Sequence, residues 1–440
     1  MGPIEILLLI ISMIFILCYN INRILGLPPG PTRWPIFGNT FQMPMVGIEK
    51  RLMQFRRQYG AVFTLWLPYP TVVIGEHEAL KRTVIKEGDM YAGRPEIYVM
   101  QLLVQGNYGL TFEENGWYRS QRRFTLHTLR NLGVGKDTIK AFEHFNEPKM
   151  LLLDVCPFLR HFDHLLGFGI KTTLHGNEAI LEFVQKQFDE HKKSINYDQE
   201  PTNYLDAYLH EIHRRGKEGI QEGFIEKQCI AAIYDLYSAG LETIVITLRF
   251  CFLFILNYPH IQRKIHQEID DVIGQERDIT MDDQKILPYT CAFLQEVYRV
   301  GYVGYVNFLR ITMENVNCEG YKLPKGTRVI PQFPSVHMDE SIYPRAELVV
   351  PERHLKDGQF IKDDRITGFS VGKRACLGES LARMEVFMFF TSLMQKFHFE
   401  PEGLCPPEPK LQTSTLRTPL PYKIRVQERM FIVVILTAHR

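Results

Sequence analysis

One cysteine of the eight in this 440-residue chain has neighbours suited to metal chemistry. In Phe369-Ser-Val-Gly372-Lys-Arg374-Ala-Cys376-Leu-Gly378 it stands between two glycines and beside two cations. The thiolate, not the thiol, binds metals, and near neutral pH it needs stabilisation. Lys373 and Arg374, the peptide N–H groups freed by the glycines, and a following helix N-terminus would each supply it. The run from Glu379, Ser-Leu-Ala-Arg-Met-Glu-Val-Phe-Met-Phe-Phe, is rich in helix formers and places Cys376 just before a first turn, where N–H groups point outward. A lone free cysteine is more often a small buried hydrophobe. Five fixed positions in Phe-x-x-Gly-x-Arg-x-Cys-x-Gly, each about one in twenty, nevertheless arise by chance about once in three million windows.

One other place breaks local rules. Residues 224–256 are apolar at helical spacing without proline, the longest helix to be drawn at about 50 Å. Inside it, Ala239-Gly240-Leu241-Glu242-Thr243 sets a helix-weakening glycine and a charge into an apolar run. Such breaks mark function. The structural alternative is close packing at Gly240, with Thr243 bonding back to the carbonyl of Ala239. Glu296-Val-Tyr-Arg299, an acid and a base on one helix face, is followed downstream by Pro351-Glu-Arg353.

Together these motifs resemble the cytochrome P-450 superfamily, in its microsomal, family 2-like branch. The resemblance implies a mainly α fold with a small β region and a haem cofactor whose iron is held by Cys376. It implies Phe369, Gly372 and Gly378 as the haem loop, and Ala239, Gly240, Glu242 and Thr243 as the oxygen-binding segment, with Glu242 and Thr243 relaying protons. Glu296, Arg299 and Arg353 are implied to form a buried network; the usual phenylalanine after that arginine is His354 here, expected to keep most of the packing role. Arg122 and Arg374 pair with haem propionates, and Arg310 reaches one within a register of one residue. The family's Trp-x-x-x-Arg spacing is one residue longer here, so either Trp117 is displaced or Tyr118 takes its place.

The positioning elements follow in order. Residues 4–19 are nearly all apolar and, with their flanks, read as a membrane anchor of about 30 Å over 1–22. A cleaved signal peptide is the rival; no basic n-region or Ala-x-Ala-like site supports it. Arg23 and Arg33 beyond the span direct the body to the cytosol; the resemblance to the microsomal branch implies the endoplasmic reticulum as the membrane. Residues 23–40 hold Pro28-Pro-Gly30-Pro31 and Pro35-Ile-Phe-Gly38-Asn39, a stiff hinge. A catalytic domain would span 41–426. Within it, 62–75 reads as a hairpin, 117–136 as a basic helix, 259–274 as an amphipathic helix with Ile261, Ile265 and Ile269 four apart, and 302–310 with 321–331 as short strands around a turn.

Two segments depart from the family. Between Lys136 and Met150 the pattern jumps to a stretch normally two helices further on, and 427–440 adds the apolar, β-prone Met-Phe-Ile-Val-Val-Ile-Leu. Both read as gene-model faults, an omitted exon and a misread terminus. If the chain is real, uncovered apolar surface on the long helix would cost about 25 cal/mol per Å2.

Composition excludes some classes. At 45% hydrophobic and 12% aromatic the chain can bury a large core. A net charge of +1 gives no basis for nucleic-acid binding. The cysteines lack Cys-x-x-Cys spacing, so zinc and disulfide frameworks are unsupported. No Gly-x-Gly-x-x-Gly or flavin motif is seen, so electrons are expected from a partner; the resemblance implies a membrane-bound NADPH-cytochrome reductase, with cytochrome b5 as a second candidate. Arg122, Arg123, Arg130 and Lys136 offer it a docking face. The expected reaction is insertion of one oxygen atom of O2 into a lipophilic small molecule such as a xenobiotic, fatty acid or steroid. The alternatives are a reductase-independent haem-thiolate isomerase and a truncated, non-enzymatic product with impaired haem binding.

Overall fold

A computed structural model describes residues 25–132 and 170–429, apart from Ile36, Met45, Val46, Pro68, Glu114, Asn115, Val306 and 413–415, with seven scattered residues before 25. The jump between Lys136 and Met150, most of the anchor, and the tail from Met430 lie outside the described residues.

The principal elements are α1 (Ile48–Tyr59), β1 (Val62–Trp66), β2 (Pro70–Ile74), α2 (Tyr118–Leu132), α3 (Ile170–Ser194), α4 (Tyr204–Glu218), α5 (Glu226–Asn257), α6 (Pro259–Val272), α7 (Pro288–Val300), β3 (Arg310–Ile311), β4 (Val316–Cys318), β5 (Tyr321–Leu323), β6 (Arg328–Pro331), α8 (Glu379–Lys396), β7 (Phe397–Pro401) and β8 (Ile424–Glu428). The molecule is mainly helical, with a four-stranded sheet ordered β1-β2-β6-β3 and smaller strand pairs. The hairpin is antiparallel, Val62 opposite Ile74, and β6 joins β2 in parallel, Thr71 opposite Arg328. Residues 302–309 form no strand among the described residues beyond a bridge from Gly304 to Leu416. The turn signals there instead serve an irregular segment that reaches β3.

The 32 residues of α5 make the axis of the fold, packed against α3, α6, α7 and α8. It is also the one described helix long and apolar enough to cross a membrane. Its C-terminal half belongs to the core, where Ile246, Phe250, Cys251 and Leu253 are buried with Phe293, Val297, Phe387 and Phe390. The period-four Ile261, Ile265 and Ile269 of α6 are buried in the same cluster. Pro259 and Pro288 start α6 and α7, where a missing N–H costs nothing.

The hinge docks on the sheet. Thr64 of β1 donates through its N–H to Pro29 O and through its hydroxyl to Pro28 O. Asn39, fully buried, accepts from the N–H of Trp66 at 2.8 Å. At the far end β8 pairs with β7 through Glu428, and the Arg429 N–H donates to Lys396 O, so pairing runs three residues into 427–440.

Candidate functional site

Backbone geometry shapes the cysteine loop. Ser370 and Gly372 take left-handed φ of 69° and 71°, and a Cβ on Gly372 would lie 2.2 Å from Val84 O, so only glycine fits. The Cys376 N–H donates to Phe369 O at 2.7 Å, closing the loop before α8 begins at Glu379. The Cys376 side chain faces open space. Atoms packed around it still desolvate the thiol and push it up; the Gly378 N–H pulls it down, Glu379 pushes it up and Arg122 pulls it down. The expected help from Lys373 and Arg374 is not what the loop delivers. Lys373 pairs with Asp89 at 3.3 Å. Arg374 turns inward, donating to Ala92 O at 2.7 Å and Glu113 O at 3.2 Å.

Arg122, Arg310 and Arg374 converge beside this loop. Arg122 donates to Ala375 O at 2.6 Å. Arg310, 1% exposed, donates through Nη2 to Ser370 Oγ and Val371 O, while its Nε and Nη1 are buried without a hydrogen-bond partner among the described residues. Burial first, then repulsion from Arg374 and Arg122, lowers Arg310 to about 10. Three converging cations, with two orphaned donors on the buried Arg310, call for an anion. Tyr118, not Trp117, completes the group. The Arg374 guanidinium lies 3.8 Å from the Tyr118 ring centroid, whereas the Trp117 ring packs against Gly223, where an added Cβ would meet it at 2.2 Å. Of the expected docking cations, Arg122 and Arg123 line a cleft of about 1090 Å3 with Arg119 and Lys373; Lys136 and the Arg130 side chain lie outside the described residues.

On α5 the Thr243 hydroxyl donates to Ala239 O at 2.8 Å, the back-bond expected from sequence. Close packing at Gly240 is not found: nothing lies within 4 Å of an added Cβ, and Ala239 and Gly240 are exposed. Gly378 is equally open. Glu242 is half-buried one residue before Thr243. An exposed cysteine with an arginine cluster beside its loop suits a group that carries carboxylates, as haem does.

Sequence reasoning missed the side chains that hold residues 109–111 against α5. Asp235 accepts the N–H groups of Leu110 and Thr111 at 2.6 and 2.9 Å. Gln228 exchanges two bonds with the Gly109 backbone. Burial raises Asp235 to about 6 against the pull of these N–H groups. Buried Arg94 ties Thr111 O to Phe308 O and Leu309 O. A charge inside an apolar helical run was the available signal for Asp235, as for Glu242.

Glu296 and Arg299 are both fully buried. Glu296 accepts from Arg299 at 2.6 and 2.8 Å and from the Val350 N–H at 3.0 Å, and Arg353 approaches at 3.3 Å. Arg299 also donates to the carbonyls of His337, Ala346 and Leu348. His354 is more than packing: buried, it bonds Glu296 Oε2 through Nε2 at 2.8 Å. Burial alone would raise Glu296; bonds from Arg299 and His354 hold it down to about 2.

Comparison with known proteins bears on the family. The sequence model of the family described as Cytochrome P450 matches residues 28–148 and 135–426, in two pieces that overlap at 135–148. A Caenorhabditis elegans protein described as "Probable cytochrome P450 CYP36A1" is 45% identical, over 97% of this chain and 99% of its own length. That alignment has 489 positions against a chain of 440, so at least 49 positions of the relative face no residue here. Cytochrome P450 2D9 of Mus musculus and cytochrome P450 2C7 of Rattus norvegicus are 31% and 32% identical, covering 90% and 85% of this chain and 91% and 88% of theirs.

Proposed function

The chain belongs to the cytochrome P450 family of haem-thiolate monooxygenases, and on that premise we propose that Cys376 is its axial iron ligand and that it oxygenates a lipophilic small molecule with electrons from an NADPH reductase. The observation that carries this assignment is Arg310, whose two orphaned donors lie buried beside Arg122 and Arg374 at the cysteine loop. Haem propionates satisfy that cluster, because a guanidinium matches a carboxylate bidentately. Bound there, haem supplies binding and cleavage of dioxygen, which thiolate ligation favours. The protein contributes position and protons. The Gly378 N–H and Arg122 stabilise the thiolate, and Tyr118 holds Arg374 in place. Thr243 and Glu242 hold protons on the open face of α5. Asp235, Gln228 and Arg94 fix residues 109–111 as one wall of the substrate space.

Residues 1–22 are assigned to an endoplasmic-reticulum anchor, 23–40 to the hinge and 41–426 to a cytosolic catalytic domain, with 427–440 an added tail and the basic face of α2 toward the reductase and cytochrome b5. In the test, purified protein is reduced under carbon monoxide. A thiolate-type Soret band is expected, abolished in Cys376→Ser and reduced in haem content in Arg310→Met; no such band in the unaltered protein sinks the assignment.

A second reading rests on a separate observation. The family match breaks at 135–148, the relative carries at least 49 more positions, and Val245 of α5 and Phe389 of α8 are 37% and 46% exposed on adjoining helices. On this reading two helices are missing after α2 and the chain holds haem poorly. The haem-to-protein ratio after expression decides: stoichiometric haem rules it out.

A further inference from the structure

The first turn of α8 carries a charge pair that the assignment above leaves without a role. Glu379 opens α8 three residues after Cys376. Its carboxylate accepts from Arg383 Nε at 2.9 Å. Exposed pairs of this spacing are worth little to stability, and these side chains are 28% and 35% exposed. The guanidinium is nevertheless held on two aromatic rings. Its carbon lies 4.6 Å from the Tyr298 ring centroid and 4.8 Å from that of Phe369, and the two rings meet edge-on at 5.4 Å. Ring faces attract a cation and fix its place. Phe369 is the residue whose carbonyl receives the Cys376 N–H, and Tyr298 adjoins Arg299 on α7. One cation thus joins α8, α7 and the cysteine loop.

We propose that Arg383 is a positioning residue that sets the reduction potential of the iron held at Cys376, offsetting Glu379 with a fixed positive charge behind the ligand loop. This rests on Cys376 being the axial ligand. Reduction adds one electron to the ferric centre and makes or breaks no bond, so a nearby cation favours the ferrous product and a nearby anion opposes it.

The experiment is a reductive titration of the holoprotein with dithionite and dye mediators, alongside the Soret band of the reduced carbon-monoxide complex. Arg383→Met keeps an apolar stem on the rings and removes the charge. Its reduction equilibrium constant is expected to fall about three- to tenfold, tenfold being 59 mV for a one-electron couple. Arg383→Lys restores most of the loss, Glu379→Gln shifts the constant the other way, and the Met–Gln double variant returns to within about twofold. An unmoved potential in Arg383→Met with its thiolate Soret band intact overturns the proposal. So does a fall that Arg383→Lys does not restore, because it assigns the effect to packing. Should Arg383→Met not accumulate folded, Glu379→Gln decides alone, and an unmoved or lowered potential overturns the proposal. Loss of the thiolate band in the unaltered protein is a different failure, that of Cys376 as ligand.

Discussion

Replacing Glu296 by Gln keeps the side chain's size and removes its charge inside a fully buried network. The carboxylate accepts four hydrogen bonds, two from Arg299, one from His354 and one from the Val350 N–H. An amide keeps one acceptor oxygen and turns an NH2 toward donors. About two bonds to a charged group are lost, at roughly 1.5–3 kcal/mol each. Arg299 is then a buried cation without its counter-charge, and breaking such a pair costs about 3–5 kcal/mol. These describe one event, so the expected destabilisation is about 3–5 kcal/mol, a large part of the roughly 5–15 kcal/mol that holds a domain folded. Equilibrium urea unfolding, followed by the fluorescence of Trp34, Trp66 and Trp117 and by the Soret band, measures it; coincident transitions establish two-state behaviour. The sign with pH is fixed as well. Glu296 sits near 2 in the fold against an ordinary 4.5, so its contribution is present above 4.5 and lost as pH falls toward 2. The Gln variant must lose that slope. A change below about 1 kcal/mol with the acid slope retained would refute the reasoning.

Three further outcomes are expected. Gly372→Ala forces a Cβ to 2.2 Å from Val84 O at a φ of 71°; it should bind substoichiometric haem, read as the Soret-to-protein absorbance ratio. Asp235→Asn retains an oxygen for the N–H groups of Leu110 and Thr111 and removes a buried acid held near 6. The acid costs stability increasingly as pH climbs from its ordinary 3.8 through 6, so the variant should flatten the stability-versus-pH profile in that window by thermal unfolding. Thr243→Val removes the hydroxyl that donates to Ala239 O; product formation should fall at least about tenfold while NADPH consumption continues, since a positioned proton donor contributes roughly 10²–10⁴ in rate.

Periodicity and punctuation made much of the fold legible. The isoleucines of α6 are buried where their spacing put them, and Pro259 and Pro288 begin helices as their missing N–H groups predict. Residues that work by long-range pairing were not legible. Asp235 and Gln228 meet backbone more than a hundred residues away, and no local period announces that. His354 looked like a packing substitute for an aromatic ring, because the acceptor that makes it polar, Glu296 Oε2, lies 58 residues off.

Closeness in the chain proved a poor guide to closeness in charge. Lys373 and Arg374 flank Cys376 within three residues, and proximity alone would make them its electrostatic support. Left-handed turns at Ser370 and Gly372 redirect the backbone there. Lys373 then falls to Asp89 at the surface, and Arg374 is drawn inward to Ala92, Glu113 and the Tyr118 ring. Arg122 acts on the thiol instead, anchored on a carbonyl 253 residues further along the chain. The consequence is a division of labour: the glycines of the motif give the loop its path, its nearest cations brace that path, and the charge felt at sulfur comes from α2 and α8. Substituting Lys373 should therefore leave the haem environment unmoved, whereas substituting Arg122 should not.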